Sequence, residues 1–121
     1  MRGLGLTAKS GHFTFEVFEK SPDLVEEIAR IFGMTMVVIP WINPEDRPTT
    51  VEGWQAIGAR LAAYTADMGA RGLTFAYHNH DFEMIPLPDG SFPIDHLLGA
   101  TVPFEPDLAW IVVGGQDPLV W

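Results

Sequence analysis

One stretch, Gly72–Glu83, reads GLTFAYHNHDFE and restricts the fold more than any other part of the chain. Its first half, Leu73 to Tyr77, is short, apolar and rich in β-formers. It follows a long helical pattern, as a parallel strand of an α/β protein does. Side chains alternate along a strand, so Leu73, Phe75, Tyr77 and Asn79 share one face and Thr74, Ala76, His78 and His80 share the other. The bulky face suits burial beneath helices. The small-then-histidine face suits the inside of a barrel whose strands end at an active-site mouth. Two histidines two residues apart on a strand point the same way, a spacing that a divalent metal can use. Each histidine taken alone reads equally well as a hydrogen-bonded polar group at a strand end.

Composition narrows the partners. The chain has 121 residues, 47% hydrophobic and 19% charged, which is a globular composition and enough for one domain or part of a larger one. A formal charge of −9 with only seven Lys and Arg argues against a nucleic-acid backbone as partner. The adjacent letters H-N-H are not the dispersed motif of the nucleases named for them. There is no cysteine, so neither a disulfide framework nor a thiolate metal site is available. The first residues lack the apolar core of a signal peptide, and no apolar run is long enough to span a membrane. The expectation is a cytoplasmic protein that binds neither nucleic acid nor membrane.

The remaining elements fall in order along the chain. Leu4–Thr7 reads as a short strand, followed by a polar cluster, Lys9 to Phe13, placed where α/β folds put binding groups. His12 therefore either faces a ligand or is solvated. Ser21 and Pro22 open a helix whose stripe, Leu24, Val25, Ile28, Ala29 and Phe32, is predicted core, with Gly33 as its stop. Met34–Ile39 is the next strand, ended by Pro40, and Trp41 just beyond it either walls a pocket or covers the rim. A capping box from Thr49 to Glu52 opens the longest helix, with Val51, Trp54, Ile57, Gly58, Leu61, Thr65 and Met68 as its buried stripe. Met84–Leu87 and Ser91–Ile94 flank the turn signal Pro88-Asp89-Gly90 as a small hairpin, and Asp95 caps a short helix through Leu98. Val102–Asp107 is the fourth strand. Its carboxylates Glu105 and Asp107 share a face, and a buried carboxylate needs a partner or a cation, Asp107 being the stronger candidate. Gly114-Gly115 ends the following helix, and Asp117-Pro118 reads as a further N-cap just before Trp121, so the chain is expected to be incomplete. Repeated βα units with reactive groups at the strands' carboxyl ends predict about four units of a (β/α)8 TIM barrel, one partial domain over residues 1–121.

The motifs YHNHDFE at Tyr77–Glu83, DHLL at Asp95–Leu98, FEPDLAW at Phe104–Trp110 and GGQDP at Gly114–Pro118 resemble the sugar phosphate isomerase/epimerase family. That family has the xylose isomerase-like TIM barrel and includes inosose dehydratase-like enzymes. Ser10–His12 resembles the end of the family's third strand, so the resemblance places strands three to six in this chain. It implies a divalent metal, Mn, Co, Zn or Mg, with Asp107 of the E-x-D-x-x-W pattern as a ligand. The strand-five ligand position overlays Tyr77 without gaps, and the facing of the strand moves it to His78, with His80 second. The resemblance further implies that Glu83 contacts substrate hydroxyls and that Trp110 lines the pocket. Pro106 departs from the family's usual aliphatic residue, and the ligands of its last two strands have no counterpart here.

The chemistry expected of the intact barrel is proton transfer next to a metal-polarised carbonyl of a sugar, sugar phosphate or other polyol, as in an isomerase or epimerase. His78 and Asp107 hold the metal in this reading, His80 and Glu83 are catalytic, and His12, Trp41 and Trp110 line the substrate. A dehydratase or lyase on the same scaffold is the nearest alternative, and a catalytically incomplete fragment that self-associates is another. An endonuclease of the same superfamily fits poorly with so few basic residues.

Overall fold

The structure, a computed structural model, describes residues 4–121. Four strands, β1 (Ser10–His12), β2 (Met36–Ile39), β3 (Thr74–His78) and β4 (Phe104–Glu105), form one sheet in the order β1-β2-β3-β4, every pair parallel. Helices α1 (Phe15–Lys20) and α2 (Pro22–Phe32) connect the first pair. Helix α3 (Val51–Ala70) connects the second, α4 (Pro93–Leu98) the third, and α5 (Leu108–Val113) follows β4. Sequential parallel strands with helical crossovers are the barrel-type βα repeat.

The register sorts the side chains as the alternation predicts. His12 pairs with Val38, Val38 with Ala76, and His78 with Glu105, so these share the inner face. Val37, Ile39, Phe75 and Tyr77 share the outer face and form the core with Phe18, Val25, Ala29, Trp54, Leu61 and Met68 from the helices. Full burial of each large apolar side chain stabilises the fold by roughly 1.5–3 kcal/mol.

Helix α3 follows its expected stripe. Trp54, Ile57, Gly58, Leu61 and Met68 are buried, and Trp54 is only 3% exposed, a core residue. Its cap lies one residue later than the sequence pattern indicates. The Thr50 hydroxyl accepts from the Gly53 N–H, so Glu52 closes no box with Thr49. Gly58 sits where α3 crosses α4. A Cβ there would stand 2.2 Å from the His96 carbonyl oxygen, a backbone atom that cannot swing aside. Gly58→Ala is therefore expected to lower stability by about 1–3 kcal/mol in urea denaturation.

Several sequence expectations are corrected. Leu4–Thr7 is not a strand. Met34 still bonds back to Ala29 at the end of α2, so β2 offers a partner only from Met36, opposite Ser10. Helix α1 was not foreseen, being too short to show a period, yet it buries Phe18. In α2, Pro22 and the left-handed Gly33 mark the ends as expected. Only Val25 and Ala29 of its stripe are fully buried, however, and Leu24 and Phe32 are nearly half exposed. The Pro88-Asp89-Gly90 turn forms, closed by the Leu87 N–H to Ser91 O bond, but no strands flank it. Pro86 and Pro88 lack ladder donors. A short 3-10 turn, Phe82–Met84, stands there instead. Asp95 is the third residue of α4 rather than its cap, accepting from the Phe92 N–H at 3.3 Å. The fourth strand shrinks to two residues, because Pro103 and Pro106 on either side donate nothing to a ladder.

Candidate metal centre

His12, His78 and Glu105 reach the same point from the carboxyl ends of β1, β3 and β4. One ligand atom from each lies within 4.8 Å of the others. His12 Nε2 and Glu105 Oε2 are 2.8 Å apart, and His78 Nδ1 is 3.5 Å from the same oxygen. β1 and β4 are separated by two intervening strands, about 14 Å across a flat sheet at ~4.8 Å per strand. Side chains on those outer strands meet only because the sheet curls strongly toward this face. The cluster is therefore a product of barrel-like curvature.

Asp107 stands on the other side of the His78 ring, with Oδ2 3.8 Å from Nε2. Its Oδ1 caps α5, accepting from the Ala109 and Trp110 N–H groups at 2.9 and 3.1 Å. Asn79 holds this corner to β3. Its Oδ1 accepts from the Asp107 N–H at 2.8 Å and its Nδ2 donates to the Asp107 carbonyl at 3.3 Å. Asn79 is fully buried, and sequence reasoning gave it a face but no task. Burial, and next the adjacent His12, hold the His78 imidazole below its ordinary pKa against the pull of Glu105 and Asp107. That favours the neutral ring, the form that binds metal.

His80 lies beyond the cluster, its ring centroid 5.4 Å from that of His78. Trp41 and Trp110 flank it at 4.8 and 5.0 Å, so both tryptophans sit where a pocket wall is expected. The His80 Nδ1 is buried without a hydrogen-bond partner among the described residues. Burial, with His78 second, lowers its pKa as well. The Arg47 guanidinium lies 3.5 Å from the Phe82 ring centroid and 4.6 Å from that of Trp41, joining the loops after β2 and β3. A cleft of about 490 Å³, lined in part by Thr14, Phe15, Trp41, Asn43 and Arg60, opens beside Trp41.

Glu83 is not on this surface. It is fully buried, with Oε1 accepting from the Tyr77 hydroxyl at 2.5 Å and Oε2 from the His80 N–H at 2.8 Å. Both oxygens are engaged within the chain, so Glu83 positions the His80 backbone and has no free oxygen for a substrate hydroxyl. Burial raises its pKa to about 7, although the Tyr77 and His80 donors pull it down. Tyr77 points to the helix side and belongs to the core, which removes it as a ligand position.

The donor set fits one divalent ion held by two imidazoles and a carboxylate. Compared with expectation, His78 is where the strand alternation puts it. His12, expected to line the substrate, is a member of the candidate ligand cluster, and Glu105 lies 3.5 Å from His78 Nδ1 while Asp107 lies 3.8 Å from Nε2. The missed signal was in the E-x-D spacing: on a two-residue strand the Glu still faces inward, while the Asp has already become the helix cap.

Among the described residues no helix is long and apolar enough to cross a membrane. No family model and no curated protein matches the chain. Solved structures do, among them two each described as a sugar phosphate isomerase/epimerase from Parabacteroides distasonis ATCC 8503. The first is 22% identical with a TM-score of 0.79, covering 99% of this chain and 49% of its own. The second is 21% identical with a TM-score of 0.76, covering 98% of this chain and 54% of its own. The chain thus spans about half the length of the structures it matches. At that identity the likeness is one of fold: the chain has the parallel βα architecture of about half of a TIM barrel.

Proposed function

We propose that the chain supplies part of the active site of a metal-dependent isomerase or epimerase acting on a sugar or related polyol. The observation that carries this reading is the meeting of His12, His78 and Glu105 at the strands' carboxyl ends, beside a histidine walled by two tryptophans. Solved structures of like fold described as sugar phosphate isomerase/epimerase support the substrate class.

His12, His78 and Glu105 would hold the ion, and its chemistry when bound is to polarise a carbonyl or hydroxyl oxygen. Two imidazoles favour Zn²⁺, Co²⁺ or Mn²⁺ over Mg²⁺. Asp107 faces the second nitrogen of His78 and orients the ring, as outer carboxylates do in histidine metal sites. The indoles of Trp41 and Trp110 offer apolar faces to the C–H side of a sugar and exclude water from the reacting carbon. His80, whose neutral form burial favours, takes the proton from the carbon next to the carbonyl and returns it. Glu83 holds the His80 backbone in place during that exchange.

The test is proton exchange. The chain loaded with Zn²⁺, Co²⁺ or Mn²⁺ is incubated in deuterated water with a panel of aldoses and ketoses and followed by proton NMR. Metal-dependent loss of the signal next to the carbonyl, abolished by chelator and by His80→Ala, is the expected result. Metal binding without exchange on any sugar would sink the reading, and loss of water from the substrate would replace it with a dehydratase.

A further inference from the structure

Asn79 and Glu83 are the two polar side chains, tyrosine aside, that are completely buried among the described residues. Both are spent on the backbone around His80. Glu83 takes the His80 N–H, and the Asn79 Nδ2 donates to the His80 carbonyl at 3.2 Å. The same Nδ2 donates to the Asp107 carbonyl at 3.3 Å, while Oδ1 accepts from the Asp107 N–H at 2.8 Å. One amide thus holds its own strand end and both backbone groups of a residue 28 positions away.

The sequence shows why a side chain is needed there. β3 and β4 pair only through Tyr77 with Phe104 and His78 with Glu105. Pro106, next in line, has no N–H to donate, and β4 ends before it. The Asn79 side chain carries the groups of a peptide, an oxygen that accepts and an N–H that donates, and extends the pairing one step past the proline. Asp107 does not fix its own place. Its Oδ1 is committed to the first turn of α5, so where its Oδ2 falls depends on where that helix begins relative to β3.

We infer that Asn79 is a positioning residue of the candidate metal centre, setting the Asp107 carboxylate against the His78 ring and fixing the peptide that carries His80. The role presupposes the proposed site, with His78 on the ion and Asp107 behind it. All three hydrogen bonds of Asn79 go to backbone, so it acts through the residues it holds.

A double-substitution cycle read by calorimetric titration of Co²⁺ tests this. Asn79→Ala is expected to weaken binding at least about tenfold, as loss of an outer partner does. Combined with Asp107→Asn it should cost no more than Asp107→Asn alone, because both act on the ion through one carboxylate. Asn79→Ser keeps a hydroxyl for one partner and should fall between wild type and Asn79→Ala, which answers the question even where Asn79→Ala does not fold. Gly58→Ala strains the α3–α4 crossing and should leave the affinity unchanged, separating positioning from lost stability. Wild-type affinity in both Asn79 variants, losses that add in the double variant, or an equal loss in Gly58→Ala would each overturn the role. A wild-type chain that takes up no metal would sink the proposed metal centre, and the geometry is then decided without metal. Nuclear Overhauser contacts between the His78 ring and the Asp107 methylene should be present in wild type and Gly58→Ala and lost in the Asn79 variants. Contacts kept in those variants, or missing from wild type, would overturn it.

Discussion

His78→Ala is expected to lower the affinity for Zn²⁺ or Co²⁺ by more than 100-fold, because the proposed metal site has His78 in the middle of its cluster. Loss of an outer partner alone typically costs 10–100-fold, so loss of a ligand exceeds that. His12→Ala and Glu105→Gln should match it, since their atoms share the site with His78. Asp107→Asn should fall within the 10–100-fold range. Its Oδ1 is committed to the first turn of α5, and its Oδ2 approaches the His78 nitrogen that faces away from Glu105. An asparagine keeps the cap, so stability should hardly change, whereas Asp107→Ala should also lose about 1 kcal/mol of it. Calorimetric titration of the four variants decides the ligand set. Asp107→Asn as damaging as His78→Ala would make Asp107 a ligand and displace Glu105 from that role.

The buried Glu83–Tyr77 pair makes stability depend on pH. The folded chain holds a proton on Glu83 up to about pH 7, against an ordinary value of 4.5. A group whose pKa is raised by folding binds its proton more tightly in the native state, so its contribution is complete below pH 4.5. It is lost as pH climbs toward 7. At about 1.4 kcal/mol per unit, the change across that window is at most about 3.5 kcal/mol. Glu83→Gln does not titrate. Its carbonyl can accept from Tyr77 or from the His80 N–H but not from both, so a constant penalty of about 1–3 kcal/mol should replace the slope. The partly buried histidines His78 and His80 have lowered pKa values and tilt the curve the other way. The difference between wild type and Glu83→Gln, measured by urea denaturation from pH 4 to 8, therefore isolates the carboxyl. A difference that stays constant with pH would mean that folding leaves the Glu83 pKa unchanged.

The fold was legible where local signals repeat. The helical stripe of α3, Pro22 and Gly33 around α2, and the alternation of β3 are short-range patterns that any packing of these elements must respect. They were enough to place Phe75 and Tyr77 under the helices and His78 inside. Local signals failed where a partner decides the outcome. Leu4–Thr7 has β composition but no neighbour to pair with, and the segments around Pro88 have no free donors to build a hairpin.

The same division runs through the candidate site. Strand periodicity put His78 on the small-residue face of its strand and Glu105 on the face of Asp107, the position just past β2 marked Trp41 as pocket wall or rim, and the family resemblance marked Trp110 as a pocket residue. That His12 touches Glu105, 93 residues away, depends on the curl of the sheet, a collective property of four strands that no segment carries. Glu83 turned inward to Tyr77 rather than toward a substrate because the turn after β3 directs it there, and a motif of adjacent letters has no record of that turn. Composition and periodicity therefore chose the elements and their faces, since those follow from burial of one side of each element. Which polar groups meet was settled by curvature and loop geometry, since hydrogen bonds and ligand sites depend on distances of a few ångströms between residues remote in the chain.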